Sequence, residues 1–147
     1  MLSRHLVTPL PGPRAQALLE QRAQHLPRGI AISTPVFVSS ARNALITDVD
    51  GNTFIDFAGG IGALNVGHRH PRVVAAIEAQ LEQHLHTCVH VAPSPVYLEL
   101  AALLNRITPG SFPKRTFFAN SGAEGVENAV KVARYATGRS AVVAFTH

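Results

Sequence analysis

The spacing of apolar residues near the start of the chain has a helical period. Leu19, Ala23 and Leu26 recur at intervals of four and three residues, which predicts a helix over 14–25. A proline and a glycine directly after this stripe predict its end. The opening fifteen residues contain three prolines, so they predict an extended arm that packs on another part of the protein.

A strand period replaces the helical one between residues 35 and 57. Val36 and Val38, then 45–49 and 53–57, form short stretches rich in residues that favour strands. Asp50-Gly51 lies between the last two stretches and is a strong signal for a hairpin turn. The sequence therefore predicts a small antiparallel unit.

Helical and strand patterns alternate beyond Gly67, which is typical of a three-layer α/β domain. Buried strands are predicted over 116–119 and 141–145. Helices are predicted from Pro71, from Ser94-Pro95, and over 122–136 with Gly138 just past the end. Their inward faces are expected at Val74, Ile77 and Leu81, at Leu100 and Leu104, and at Val126, Ala129, Val130 and Ala133.

These patterns divide the chain into two regions of an α/β fold. Residues 1–67 hold the arm, the first helix and the antiparallel hairpin, and residues 68–147 begin a larger α/β domain. Ligands of open α/β sheets bind at the carboxyl ends of the strands. A ligand site is therefore expected close to residues 120 and 146, and the sequence ends at that site.

Composition restricts the possible function classes. Of the 147 residues, 46% are hydrophobic and 15% charged, a globular balance that predicts a packed core. The net charge is +4, but the basic residues are scattered and the longest cluster is Lys114-Arg115, so we expect no nucleic-acid partner. We also expect no membrane segment or signal peptide. A cytoplasmic location is therefore expected, and the single Cys88 agrees with a reducing compartment.

The segment 116–127 is the strongest candidate for chemistry. A predicted strand enters a turn of small residues and leaves as a helix, so the amides of Ser121, Gly122 and Ala123 point outward at the positive end of the helix dipole. Such a turn suits a phosphate group. The alternative is an ordinary capped helix, with Ser121 and Glu124 forming a capping box. The residues alone leave both interpretations open.

Four metal-binding side chains alternate in one segment: His84, His86, Cys88 and His90. On a strand they would share one face and could bind zinc. Zinc ligands usually come from separate elements, however, so we expect a connector with surface histidines and no metal site.

Three other groups of residues could be catalytic but have simpler interpretations. A general-base role is open to His68 and His70, although a corner in which they bond the backbone is favoured. The acidic residues of the predicted hairpin, Asp48, Asp50 and Asp56, are expected to form turns on a solvated face. The glycine run 59–62 lacks the spacing of a dinucleotide loop.

Three separated segments resemble the class III aminotransferases, which depend on pyridoxal 5'-phosphate. Residues 120–134 resemble the phosphate-binding turn and helix of that family. Residues 48–61 are similar to its hairpin and entrance loop, and 65–71 to its Gly-His-x-His-Pro corner. The similarity runs from Arg28 to His147 in the family's order. It implies the amino-terminal part of a fold-type I transferase: a small antiparallel unit plus the start of the large α/β/α domain.

The resemblance assigns roles to individual residues. The amides of Gly122 and Ala123 would hold the cofactor phosphate, with Ser121 adjacent, and Ile61 would line the substrate channel. Some bacterial members have a serine hydroxyl at the position of Ala123, where this chain offers only its amide. The family's Schiff-base lysine would lie beyond His147, so this chain would hold no catalytic residue and would be inactive alone. It would also be poorly soluble or molten, because its predicted sheet strands would have open edges and its helices uncovered apolar faces.

The resemblance also implies an activity. Residues 57–67, 86–88 and 97–100 are most similar to the bacterial 4-aminobutyrate branch. The whole protein would then transfer the amino group of 4-aminobutyrate, or a similar ω-amino acid, to 2-oxoglutarate, giving succinate semialdehyde and glutamate, and it would be a homodimer. A relative acting on 5-aminovalerate, acetylornithine or ornithine, and a non-catalytic remnant, are the alternatives.

Overall fold

A computed structural model of the chain describes residues 4–146. The chain contacts cluster into two compact units, Met1–Leu85 and His86–His147. The domain division expected after residue 67 rests on the change of sequence pattern at that point and stays a prediction.

The first unit contains the antiparallel sheet that the sequence predicts. Its three strands are β1 (Val38–Arg42), β2 (Leu45–Asp48) and β3 (Thr53–Ile55), in the order β1-β2-β3. Both pairings are antiparallel. The β2–β3 turn is closed by the Asp48 amide, which donates to the Asn52 carbonyl at 2.9 Å, and Gly51 has the positive φ of 89° that the turn needs. The predicted hairpin is confirmed.

The acidic residues of this turn are not all solvated. Asp48 is 2% exposed and Asn52 is fully buried. The Asp48 carboxylate accepts hydrogen bonds from the Asp50 and Asn52 amides at 2.9 and 2.8 Å, and from the Asn52 side chain at 2.8 Å. A buried carboxylate is tolerated when its oxygens are satisfied in this way. The expectation of turn formers is confirmed, but the solvated face is wrong for Asp48 and also for Asp56, whose side chain is 11% exposed.

The amino-terminal arm packs on the chain's own hairpin. His5 forms an antiparallel bridge with Thr53. The amides of Val7 and Thr8 donate to the side-chain oxygen of Asn52 at 2.8 and 2.9 Å. The arm therefore packs on the turn that joins β2 to β3, a partner that the sequence patterns did not indicate.

The same hairpin caps the first helix, α1 (Pro13–His25). Gly12 at the N-cap has no side chain to offer, so Asp50 supplies the cap: its two carboxylate oxygens accept from the amides of Arg14 and Ala15, each at 2.9 Å. The predicted helix is confirmed, with its start one residue earlier.

The other long helices are also confirmed. They are α3 (Pro71–Leu81), α4 (Pro95–Ile107) and α5 (Gly122–Thr137), and the short turn α2 (Gly59–Gly62) is described with the site. Proline opens α3 and α4, and Gly138 ends α5 with a left-handed φ of 67°.

The two predicted buried strands are wrong for the described residues. Neither 116–119 nor 141–145 has a hydrogen-bonded partner strand there, and Phe117 and Phe145 are 70% and 97% exposed. A strand exists through its ladder, so apolar composition without an adjacent strand does not produce one.

The packed core expected from composition is also wrong for residues 4–146. Ala15 is the one buried hydrophobic residue among them. The helix faces predicted to point inward are largely uncovered, including Ile77, Leu81 and Val126. No described element packs over these faces, so their apolar side chains stay in water.

No helix within the described part of the chain is long and apolar enough to cross a membrane.

Candidate functional site

The start of α5 carries the candidate phosphate turn, and one half of the predicted capping box forms there. The Ser121 hydroxyl oxygen accepts from the Glu124 amide at 3.2 Å, and the Glu124 carboxylate accepts from the Asn120 amide at 2.6 Å. A capping box needs the Glu124 carboxylate to accept from the Ser121 amide, so the helix is capped by Ser121 but the reciprocal half of the box is not formed.

These capping hydrogen bonds leave the amides of the candidate anion site free. The amides of Gly122 and Ala123 belong to the first helical turn, and neither has an acceptor among residues 4–146. Since Ser121 Oγ accepts from the Glu124 amide, its hydroxyl proton can still be donated. All three residues are exposed, and a Cβ built on Gly122 would have no atom within 4 Å. The turn is therefore open and fits a phosphate group, so the two interpretations are compatible.

The segment that leads into this turn is held by α4. The Thr116 hydroxyl donates to the side-chain oxygen of Asn105 at 2.8 Å. The ring of Phe118 meets the Tyr97 ring edge-on, with 4.7 Å between centroids. Helix α4 thus fixes the approach to the turn, a role that the sequence patterns did not indicate.

Ile61, the candidate substrate residue, lies in the first unit. It is in α2, where Gly60 and Ile61 both have left-handed dihedrals, with φ of 62° and 56°. A β-branched residue rarely adopts this conformation. The Ile61 side chain is 98% exposed. An apolar side chain is thus presented to solvent on a strained turn, which the sequence did not predict.

An acidic residue and a histidine bracket this turn. Asp56 accepts from the Ala58 and Gly59 amides at 3.0 and 2.9 Å through one carboxylate oxygen, and the other oxygen lies 2.7 Å from His68 Nε2. The hydrogen bond to His68 lowers the pKa of the Asp56 carboxyl below its ordinary value, with further lowering by the Gly59 and Ala58 amides.

The expected corner of histidines bonded to the backbone is wrong for both side chains. The His68 ring contacts the Asp56 carboxylate, while the His68 main chain pairs with Asn43 in an isolated bridge. His70 Nδ1 is buried without a hydrogen-bond partner in the described structure.

The alternating histidines and Cys88 lie in the connector between α3 and α4. No strand forms there, so the shared face that a metal would need is absent. Within residues 4–146, no group of three or more His, Cys, Asp or Glu side chains is arranged to hold a metal ion.

The family comparison covers both the segment around Ile61 and the start of α5. The Aminotransferase class-III family matches residues 30–147, which include both the Ile61 turn and the candidate phosphate turn at the start of α5. The chain belongs to this family. Class-III aminotransferases depend on pyridoxal 5'-phosphate, the cofactor whose phosphate the open amides of Gly122 and Ala123 would fit.

Individual relatives are similar over most of the chain. It is 51% identical over 145 residues to a 4-aminobutyrate aminotransferase of Mycobacterium bovis, covering 99% of the chain and 32% of the relative. It is 48% identical over 131 residues to a 5-aminovalerate aminotransferase of Pseudomonas putida, covering 89% of the chain and 31% of the relative. The chain therefore spans about a third of the length of these relatives.

A solved structure agrees with the family assignment. The taurine:2-oxoglutarate aminotransferase of Bifidobacterium kashiwanohense, in complex with pyridoxal phosphate and glutamate, matches with a TM-score of 0.73 and 26% identity. The match covers 92% of this chain and 29% of the other. The fold is that of the class-III aminotransferases, as the sequence resemblance implied.

Proposed function

We propose that the protein containing this chain is an aminotransferase that moves the amino group of 4-aminobutyrate to 2-oxoglutarate, giving succinate semialdehyde and glutamate. The observation that carries the proposal is the 51% identity, over 99% of the chain, to a 4-aminobutyrate aminotransferase. The choice of 2-oxoglutarate is supported by the name of the structurally similar taurine:2-oxoglutarate enzyme.

The phosphate turn has a defined part in this proposal. The amides of Gly122 and Ala123 donate to the cofactor phosphate, the Ser121 hydroxyl donates beside them, and the α5 dipole adds favourable potential. Pyridoxal phosphate, when bound, serves as the electron sink for the carbon that carries the amino group. This chain's own residues therefore anchor and orient the cofactor.

Ile61 has the second part. Its exposed side chain lines the route of the amino donor and contacts the methylene groups of an unbranched chain. An apolar contact of this kind accepts donors that differ by one methylene, because each methylene contributes only about 1–3 kcal/mol of discrimination.

A specific relative favours a second candidate donor. The 48% identity to a 5-aminovalerate aminotransferase supports 5-aminovalerate, which is one methylene longer than 4-aminobutyrate.

The proposal also includes a homodimer, on family resemblance, and a cytoplasmic location, which the single exposed Cys88 supports.

The test is a donor comparison with the whole protein that contains this chain. Glutamate formation from 2-oxoglutarate would be measured with 4-aminobutyrate, 5-aminovalerate, acetylornithine and ornithine. We expect the largest kcat/KM with 4-aminobutyrate and the next largest with 5-aminovalerate. A preference for acetylornithine or ornithine, both of which carry a nitrogen substituent on the α-carbon, would refute the assignment to unsubstituted ω-amino acids.

A further inference from the structure

One carboxylate ties both ends of the loop formed by residues 57–67, hereafter the entrance loop. Asp56 binds the amides of Ala58 and Gly59 at the start of the loop with one oxygen. Its second oxygen binds the ring of His68, the first residue after the loop, at 2.7 Å. The loop is closed by side-chain contacts to a single residue.

The carboxyl-terminal end of the entrance loop is also fixed by main-chain hydrogen bonds. The His68 amide donates to the Asn43 carbonyl at 2.7 Å, and the Asn43 amide donates to the His68 carbonyl at 2.9 Å. Gly67 passes so close that a Cβ there would lie 2.8 Å from the Asn43 oxygen. The β1–β2 turn therefore fixes the position from which His68 meets Asp56.

Apolar packing does little to hold the entrance loop. All of its large apolar side chains are exposed: Phe57, Ile61, Leu64 and Val66. The left-handed conformation of Ile61 also costs free energy and persists only where the surroundings enforce it. Hydrogen bonds must therefore supply that restraint. Three are backbone bonds within the turn itself, donated by the amides of Gly62, Ala63 and Leu64. Asp56 makes three more, at the two ends of the loop.

The Asp56–His68 pair is shielded from water well enough to help hold the entrance loop. The side chains of Asp56 and His68 are 11% and 21% exposed, against 61% and 64% for the Glu127–Lys131 pair at the same 2.7 Å distance. Shelter from water strengthens a charge-assisted hydrogen bond, whereas an exposed pair contributes little.

We infer that Asp56 and His68 are positioning residues that hold the entrance loop in the conformation that presents Ile61 to the amino donor. The inference rests on the proposed function, because Ile61 meets a donor only if the protein acts on one. Neither residue needs to touch the substrate. Their loss acts on donor affinity through the loop and leaves the phosphate turn unchanged.

The experiment uses four variants of the whole protein: Asp56→Ala, His68→Ala, His68→Gln and the matched control Glu127→Gln. We expect Asp56→Ala and His68→Ala to raise the KM for 4-aminobutyrate about tenfold with kcat within about threefold, since one or more charge-assisted hydrogen bonds are lost. His68→Gln keeps a donor and should stay within about threefold of the wild-type KM. Glu127→Gln should match the wild type.

Hydrogen exchange of residues 57–67 gives a readout that does not need activity. Exchange there should accelerate about tenfold in Asp56→Ala and His68→Ala, and remain unchanged in Glu127→Gln. Unchanged exchange would overturn the inference, as would unchanged KM in an active protein. A merely structural role would lower the melting temperature of both His68 variants equally and leave the KM alone. Failure of the proposed function would instead appear as an inactive wild type.

Discussion

The side-chain amide of Asn52 donates to the buried carboxylate of Asp48 at 2.8 Å, and the two residues together close the β2–β3 turn. Asn52 also accepts from the amides of Val7 and Thr8, so one side chain joins the hairpin to the amino-terminal arm. The arm, the turn and, through Asp50, helix α1 share a single polar network.

Removing Asn52 should therefore be costly. We expect Asn52→Ala to lower the free energy of unfolding of the whole protein by about 2–4 kcal/mol, because it leaves the Asp48 carboxylate buried with fewer partners. Chemical denaturation measures the change. Asn128→Ala, which loses only an exposed hydrogen bond to the Glu124 carbonyl, should change stability by less than about 0.5 kcal/mol. Equal losses of stability in the two variants would contradict a special contribution of the buried network.

The phosphate turn can be tested with two similar glycine substitutions. Gly122→Val should weaken pyridoxal phosphate binding at least about tenfold, because a branched side chain blocks the approach of a phosphate to the backbone. Neither Gly122 nor Gly125 has an atom within 4 Å of a built Cβ, so both variants should fold. Gly125→Val is the control, since the Gly125 amide already donates to the Ser121 carbonyl. Equal cofactor dissociation constants for both variants would contradict the assignment.

Ile61 allows stability and substrate binding to be separated. Glycine adopts the left-handed conformation without penalty, so Ile61→Gly should leave stability unchanged or raise it by up to about 1 kcal/mol. The KM for 4-aminobutyrate should nevertheless rise, because the apolar contact is lost. Thermal unfolding and steady-state kinetics on the same preparation measure both. A loss of stability with an unchanged KM would place the role of Ile61 in folding.

The Asp56 carboxyl gives a pH dependence with a definite sign. Its folded pKa is lowered, so its contribution to stability is present above the ordinary value of 3.8 and is lost as the pH falls through the lower folded pKa. The difference in melting temperature between the wild type and Asp56→Asn should be largest above pH 3.8 and should shrink below it. A difference that grows on acidification would contradict the Asp56–His68 contact.

The helices could be predicted from the sequence because local signals mark where they begin and end. Pro71, Ser94 before Pro95, and Gly138 fix helix ends through the conformations of single residues, and those helices are present. The segments 116–119 and 141–145 needed partner strands, which composition does not supply.

One part of the candidate site could also be predicted from the sequence, and the other part could not. The phosphate turn is contiguous in sequence, so Ser121, Gly122 and Ala123 could be singled out together. The Asp56–His68 contact joins residues twelve positions apart around a strained loop, and no periodic pattern predicts it. A carboxylate followed by small residues at 58 and 59 was the available signal, because such residues bond amides two and three positions ahead.

Transfer of the amino nitrogen is the central claim, and isotope labelling measures it directly. The whole protein, loaded with pyridoxal phosphate, would be incubated with ¹⁵N-labelled 4-aminobutyrate and unlabelled 2-oxoglutarate, and glutamate would be examined by NMR or mass spectrometry. We predict ¹⁵N-labelled glutamate and an equal amount of succinate semialdehyde. Labelled 4-aminobutyrate that remains unconsumed by an enzyme saturated with cofactor would contradict the account.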